Sequence, residues 1–209
     1  MAFIDTIAPS GSEGAVREMY EHQQAHYGYV PNYAKVFSHR PEVMARWGRL
    51  LAEIRRPMDD RMFELATFAA AHELRNTACA LAHGAQLARF LGEEAVVAVA
   101  NGAAAGAITE AEEALVAYAR KAARDASSIN QADVDRLKDH GYTDAEVFDI
   151  AAAVAGRSFL TKILDALGVQ ADVTAMKLDP AFREPLTVGR PVADQDLEHL
   201  DVADDVLTS

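Results

Sequence analysis

Cys79 is the single cysteine of the chain, and His83 follows it by four residues. On a helix, side chains at that spacing share a face, close enough for the imidazole to reach the thiol directly or through one water. A cysteine with a base beside it is a nucleophile with a proton acceptor. Asn76 is a strong N-cap residue type, and a helix capped there places Cys79 at its third position. Unpaired N–H groups and the helix dipole favour an anion at that position, so the local sequence predicts a thiol activated toward thiolate. The competing reading is packing, because a free cysteine in an Ala/Leu-rich helix serves as a small apolar filler and a lone histidine is commonly a hydrogen-bonded core residue.

A third group extends the pattern. Glu64 precedes Asn76 by twelve positions and lies in a largely apolar run, where a carboxylate must be paired or protonated. Glu64, Asn76, Cys79 and His83 together resemble the signature of the alkylhydroperoxidase D-like and carboxymuconolactone decarboxylase family, Glu, eleven residues, then Cys-x-x-Cys-x-x-x-His. Glu64, Cys79 and His83 fall on the family's Glu, second Cys and His. Asn76 occupies the place of the first Cys. Gly28-Tyr29-Val30-Pro31-Asn32 and His39-Arg40-Pro41 resemble the peroxidase-related branch, and Thr109-Glu110-Ala111-Glu112 and the run from Gly141 to Gly168 look like its later helices. The resemblance spans roughly residues 12 to 170.

It implies an all-α, alkylhydroperoxidase D-like helical bundle and a thiol-dependent peroxidase. Cys79 would be the nucleophile, His83 would take its proton, and Glu64 would orient the imidazole or relay that proton. With Asn76 in place of the partner thiol, a sulfenic acid on Cys79 has no intrachain thiol to condense with and requires an external thiol reductant. A second chemistry, implied by the decarboxylase members, is acid/base catalysis on a small lactone or organic acid, with His83 and Glu64 moving protons and Cys79 shaping the pocket. Arg75 and Arg157 are candidates, by residue type, to hold substrate carboxylates. The third reading is a non-catalytic helical oligomer binding a ligand in the remaining cavity. Homo-oligomerisation, as a dimer, trimer or hexamer, is implied by the resemblance.

Helices must position these groups. Residues 13–27 read as a polar opening helix closed by Gly28, and Asn32 as the cap of a short segment after Pro31. Pro41 opens an amphipathic stretch with Val43, Met44, Trp47, Leu50, Leu51 and Ile54 at spacings of three and four; Pro57 ends it. Trp47 there is read as core, or as the lining of a substrate pocket. Asp59 and Asp60 start the helix carrying Glu64, which breaks near Arg75 and Asn76. The cysteine helix then runs to about Phe90. A short helix at 93–100 and a small-residue connector follow. Thr109 to Glu112 and Thr143 to Glu146 are capping boxes. Asn130 caps the short helix between them, and Gly168 closes the last and longest one. No segment alternates with period two over a strand's length.

The 209 residues suit one domain over 1–170, followed by an extended arm and acidic tail over 171–209. Its apolar residues, including Leu186, Val188, Leu197 and Leu200, belong either to a subunit-binding arm or to a solvated tail. The formal net charge of −12 argues against a phosphate backbone or an anionic membrane as the main partner, which leaves small molecules and proteins. No cofactor is expected. His22 and His26 share a helix face but lack a third ligand, and the His-Glu-x-x-His zinc motif begun by His72 and Glu73 fails at Asn76. A single cysteine and the absence of a leader after Met1 point to the cytoplasm.

Overall fold

The computed structural model describes residues 2–194. The acidic tail, with Leu197 and Leu200, therefore lies outside the described residues except for Asp194. Ten α-helices make up the architecture among them: α1 (Gly14–Tyr27), α2 (Asn32–Val36), α3 (Pro41–Arg55), α4 (Asp60–Glu73), α5 (Thr77–Leu91), α6 (Glu93–Ala100), α7 (Glu110–Asp125), α8 (Gln131–Asp139), α9 (Asp144–Ala166) and α10 (Pro180–Leu186). No named strand occurs among these residues, which hold two isolated bridges. The expected all-α bundle is what forms, and no helix among the described residues is long and apolar enough to cross a membrane.

The caps explain where helices start. Asp59, Asn76, Thr109, Asn130 and Thr143 each accept a backbone N–H of the first turn through their side chains, and Thr109 and Thr143 complete reciprocal boxes with Glu112 and Glu146. Each such cap stabilises its helix by about 1 kcal/mol. Asn32 departs from the expectation. It is the first helical residue of α2 rather than its cap, and its N–H donates to Asp172 Oδ1 at 2.8 Å, an acceptor 140 positions away.

Helix α4 is the central element. It packs against α5, α7 and α9, and every residue from Phe63 to Ala71 is buried. An all-round apolar helix has to be enclosed on every side, and its alanines let neighbouring helices approach closely. Helix α3 differs from its sequence pattern. Met44 is its one buried residue, while Val43 and Leu50 are exposed, because α3 meets the bundle mainly along α9 and α1.

The segment after residue 170 is not extended throughout. Phe182 and Leu186 of α10 are buried against α5 and α6. Gly84 makes this docking possible: a Cβ there would sit 2.3 Å from Leu186 Cδ2. A second close approach follows at Gly189, where a Cβ would meet Arg75 O at 1.8 Å and whose N–H donates to Thr77 Oγ1 at 3.0 Å.

Candidate active site

Glu64 and His83 come from the two helices that flank the Arg75 turn. Arg75 adopts φ +58, the left-handed region that side chains other than Gly seldom occupy, and the chain reverses there so that α5 runs back along α4. Arg75 itself is exposed, and no ion pair or side-chain hydrogen bond among the described residues joins it to Glu64, Cys79 or His83. Asn76 Oδ1 then accepts the Cys79 N–H at 2.9 Å, which makes Thr77 the first helical residue and Cys79 the third, as the sequence predicts. Asn76 is almost fully buried, and its amide reaches Thr161 O.

The Glu64 carboxylate is 3 % exposed and meets His83 Nδ1 at 2.6 Å through Oε2. Its other oxygen faces Arg55 Nη1 at 3.9 Å. Thr67 Oγ1 is also close to Nδ1, at 3.2 Å, but its proton goes to Phe63 O at 2.7 Å. Both neighbours of Nδ1 therefore accept. Nδ1 must carry the imidazole proton, and Nε2 keeps its lone pair. Burial pushes the His83 pKa below its ordinary value of 6.5, Arg157 and Arg55 push the same way, and Glu64 opposes them. The imidazole is thus a neutral base at neutral pH.

Cys79 is 4 % exposed. Its polar neighbour is Arg157 of α9, whose Nη1 lies 3.9 Å from Sγ. No hydrogen bond joins Cys79 to His83 among the described residues, so these two share a helix face without the direct contact that their spacing allowed. Burial raises the thiol pKa, Arg157 works against the rise, and Asp165 adds to it. The direction is opposite to that expected from helix position alone. Burial thus favours the neutral thiol over the thiolate.

Arg157 was identifiable by type but not by place. It stands in register with Ile150, Ala153, Val154, Leu160, Thr161 and Leu164 on the buried stripe of α9, and a lone cation on such a stripe is the signal that could have placed it. The residue is 6 % exposed, and its guanidinium lies over the Trp47 ring at 5.5 Å. Trp47 is half-buried and packs against the core cluster that contains Cys79 and Leu160, and its Nε1 donates to Gly156 O at 2.9 Å. Thr67 and Arg55, which complete the surroundings of Glu64 and His83, carry no sequence signal of their role. His22 and His26 are exposed on α1, and no group of three or more His, Cys, Asp or Glu among the described residues is arranged to hold a metal.

No protein-family profile matches the chain, and no curated protein matches it. Solved structures do. A peroxidase-related protein with an alkylhydroperoxidase AhpD core from Ralstonia eutropha JMP134 is similar with a TM-score of 0.68 at 21% identity, over 90% of this chain and 98% of that one. The chain has the alkylhydroperoxidase D-like fold. An uncharacterized peroxidase-related protein from Silicibacter sp. TM1040 is also similar, with a TM-score of 0.65 at 19% identity, over 82% of this chain and 90% of that one. The debrominase Bmp8 is also similar, with a TM-score of 0.64 at 16% identity, over 82% of this chain and 91% of that one. A cysteine-to-alanine variant of Bmp8 was solved in complex with 2,3,4-tribromopyrrole.

Proposed function

We propose that the chain is a one-cysteine, thiol-dependent reductase whose favoured substrates are hydroperoxides. The observation that carries this reading is the buried Arg157 guanidinium 3.9 Å from the single thiol. A guanidinium keeps its charge at any ordinary pH, and a buried charge calls for an opposite one. A thiolate on Cys79 supplies it at the moment of attack.

In this reading His83 Nε2 accepts the thiol proton, with Glu64 holding the ring and supporting the charge that develops on it. The thiolate attacks one peroxide oxygen and the O–O bond breaks. Cys79 becomes a sulfenic acid, and the departing alkoxide takes a proton from His83 to leave as an alcohol. One external thiol then converts the sulfenic acid to a mixed disulfide, releasing water. A second external thiol restores Cys79 and leaves as the external disulfide. Asn76, capped onto the Cys79 N–H, offers no sulfur for an internal route.

The similarity to Bmp8 supports a second reading with the same thiol. There the sulfur of Cys79 would take the bromine of a bromoaromatic as a sulfenyl bromide while the ring carbon gains a proton. Two external thiols would release bromide and a disulfide. Treating the full chain with one equivalent of hydroperoxide, with a sulfenic-acid trap present, and following Cys79 by mass tests the main reading. An adduct forming faster than on free glutathione supports it. An unmodified thiol across a neutral-to-alkaline series overturns it, and debromination of tribromopyrrole by a thiol-supplied enzyme would then favour the second.

A further inference from the structure

Arg157 carries more than a counterion role requires. None of the ion pairs among the described residues involves it, although it is 94% enclosed by the relative exposure of 6%. Its Nε finds no hydrogen-bond partner among the described residues. The acids that act on His83 and Cys79 are engaged elsewhere: Glu64 holds His83 and faces Arg55, and Asp165 is bonded to Asn76 and lies by Arg190. A neutral thiol satisfies a guanidinium poorly, since sulfur is a weak acceptor and the contact is 3.9 Å long. The planar fork of Arg presents several donors at once, a geometry suited to a carboxylate or other delocalised anion. Its position over Trp47 keeps that plane fixed.

We infer that Arg157 is the specificity-determining residue of the site and that it binds a small organic anion carrying its negative charge close to the atom that Cys79 attacks. This rests on the reading of Cys79 as a nucleophile and adds the charge class of the substrate. The protein as a whole is strongly acidic, with a net charge of −12, so a cation unpaired beside the thiol is what admits such a substrate.

Alkylation by two reagents of similar size separates this inference from a counterion acting on the thiolate alone. A counterion accelerates anionic iodoacetate and neutral iodoacetamide alike; an anion site accelerates iodoacetate only. The rates on Cys79 of the full chain are read by mass and referred to glutathione. The expected iodoacetate-to-iodoacetamide ratio is roughly tenfold above that of glutathione, the size of one charge-assisted hydrogen bond. Arg157→Gln brings it down to the glutathione value. Should that variant fail to fold, the unmodified protein decides: benzoate slows the iodoacetamide reaction and changes the fluorescence of Trp47, the single tryptophan, while benzamide does neither. A ratio equal to that of glutathione, or equal effects of benzoate and benzamide, overturns the anion site and leaves Cys79 a nucleophile. Failure of both reagents to react overturns the nucleophile as well.

Discussion

Glu64 Oε2 and His83 Nδ1 stand 2.6 Å apart, one on each side of the Arg75 turn, so this hydrogen bond depends on the packing of α4 on α5. Substituting Glu64→Gln removes the charge while keeping a side chain able to fill the space. Thiol oxidation by peroxide is expected to slow roughly 10²-fold, within the range for a positioned general base. Glu64 is a cause that raises the His83 pKa, which burial has already lowered. The acidic limb of the rate profile is therefore expected to move to still lower pH in the variant, and stopped-flow rates across an acid series check both effects.

Arg157→Met separates function from stability. Replacing a buried, unpaired cation by an apolar side chain of similar length is expected to leave the melting temperature unchanged or to raise it. The same change removes the influence that lowers the Cys79 pKa, so the thiolate forms at higher pH than in the parent. Thiolate absorbance against pH and a thermal melt provide the two measurements. A lower melting temperature would mean that Arg157 is held for packing.

Asn76→Cys restores the two-sulfur spacing. Peroxide is then expected to produce an intrachain disulfide, seen as a loss of two hydrogens by mass, instead of a trappable sulfenic acid. The substitution also deletes the side-chain cap on the Cys79 N–H, so denaturant unfolding should register a loss of about 1 kcal/mol in the reduced variant.

Gly84→Ala should be destabilising by about 1–3 kcal/mol, since its new Cβ would fall 2.3 Å from Leu186 Cδ2. Leu186→Ala alone leaves a cavity costing about 2–5 kcal/mol. Combined, the two should lose less than the sum, because the shortened side chain clears the new methyl. Additive losses in a double-mutant cycle would show that α10 does not seat on Gly84.

Asp172 gives a pH signature far from the thiol. Burial pushes its pKa from 3.8 to about 6, with the Asn32 N–H opposing. Between those values the folded protein keeps a proton that the unfolded chain has shed, so this residue's contribution to stability falls as pH rises through that window. Asp172→Asn retains an acceptor for Asn32 and has no proton to lose. The difference in unfolding free energy between parent and variant should grow by about 1–2 kcal/mol in the variant's favour, allowing for partial exposure of the side chain. His72 and His83, both lowered by burial, act in the opposite sense below 6.5 in both proteins and cancel in the comparison.

Much of this architecture was legible in the sequence because helix boundaries are written locally. Asn76, Thr109, Asn130 and Thr143 each cap within three residues of themselves, and the Glu64, Cys79 and His83 spacing needs only helix geometry and one reversal. Legibility ended where partners come from distant chain segments. Asn32 gave its N–H to Asp172, which no local rule anticipates. Arg157 reaches Cys79 across 78 positions. The direction of the Cys79 shift reversed for the same reason, since desolvation depends on everything packed around the sulfur. The apolar face of α3 is legible as a pattern, yet the pattern does not say how much of it this chain covers.

Thr67 gives its proton to Phe63 O and so ties the imidazole of His83 to one tautomer. In the proposed reaction only Nε2 would then exchange protons, and the side chain that bears it is 13 % exposed. Acid release and uptake would share a single narrow edge. Proton inventory in mixed isotopic water should accordingly follow a straight line, the signature of one hydrogen in flight.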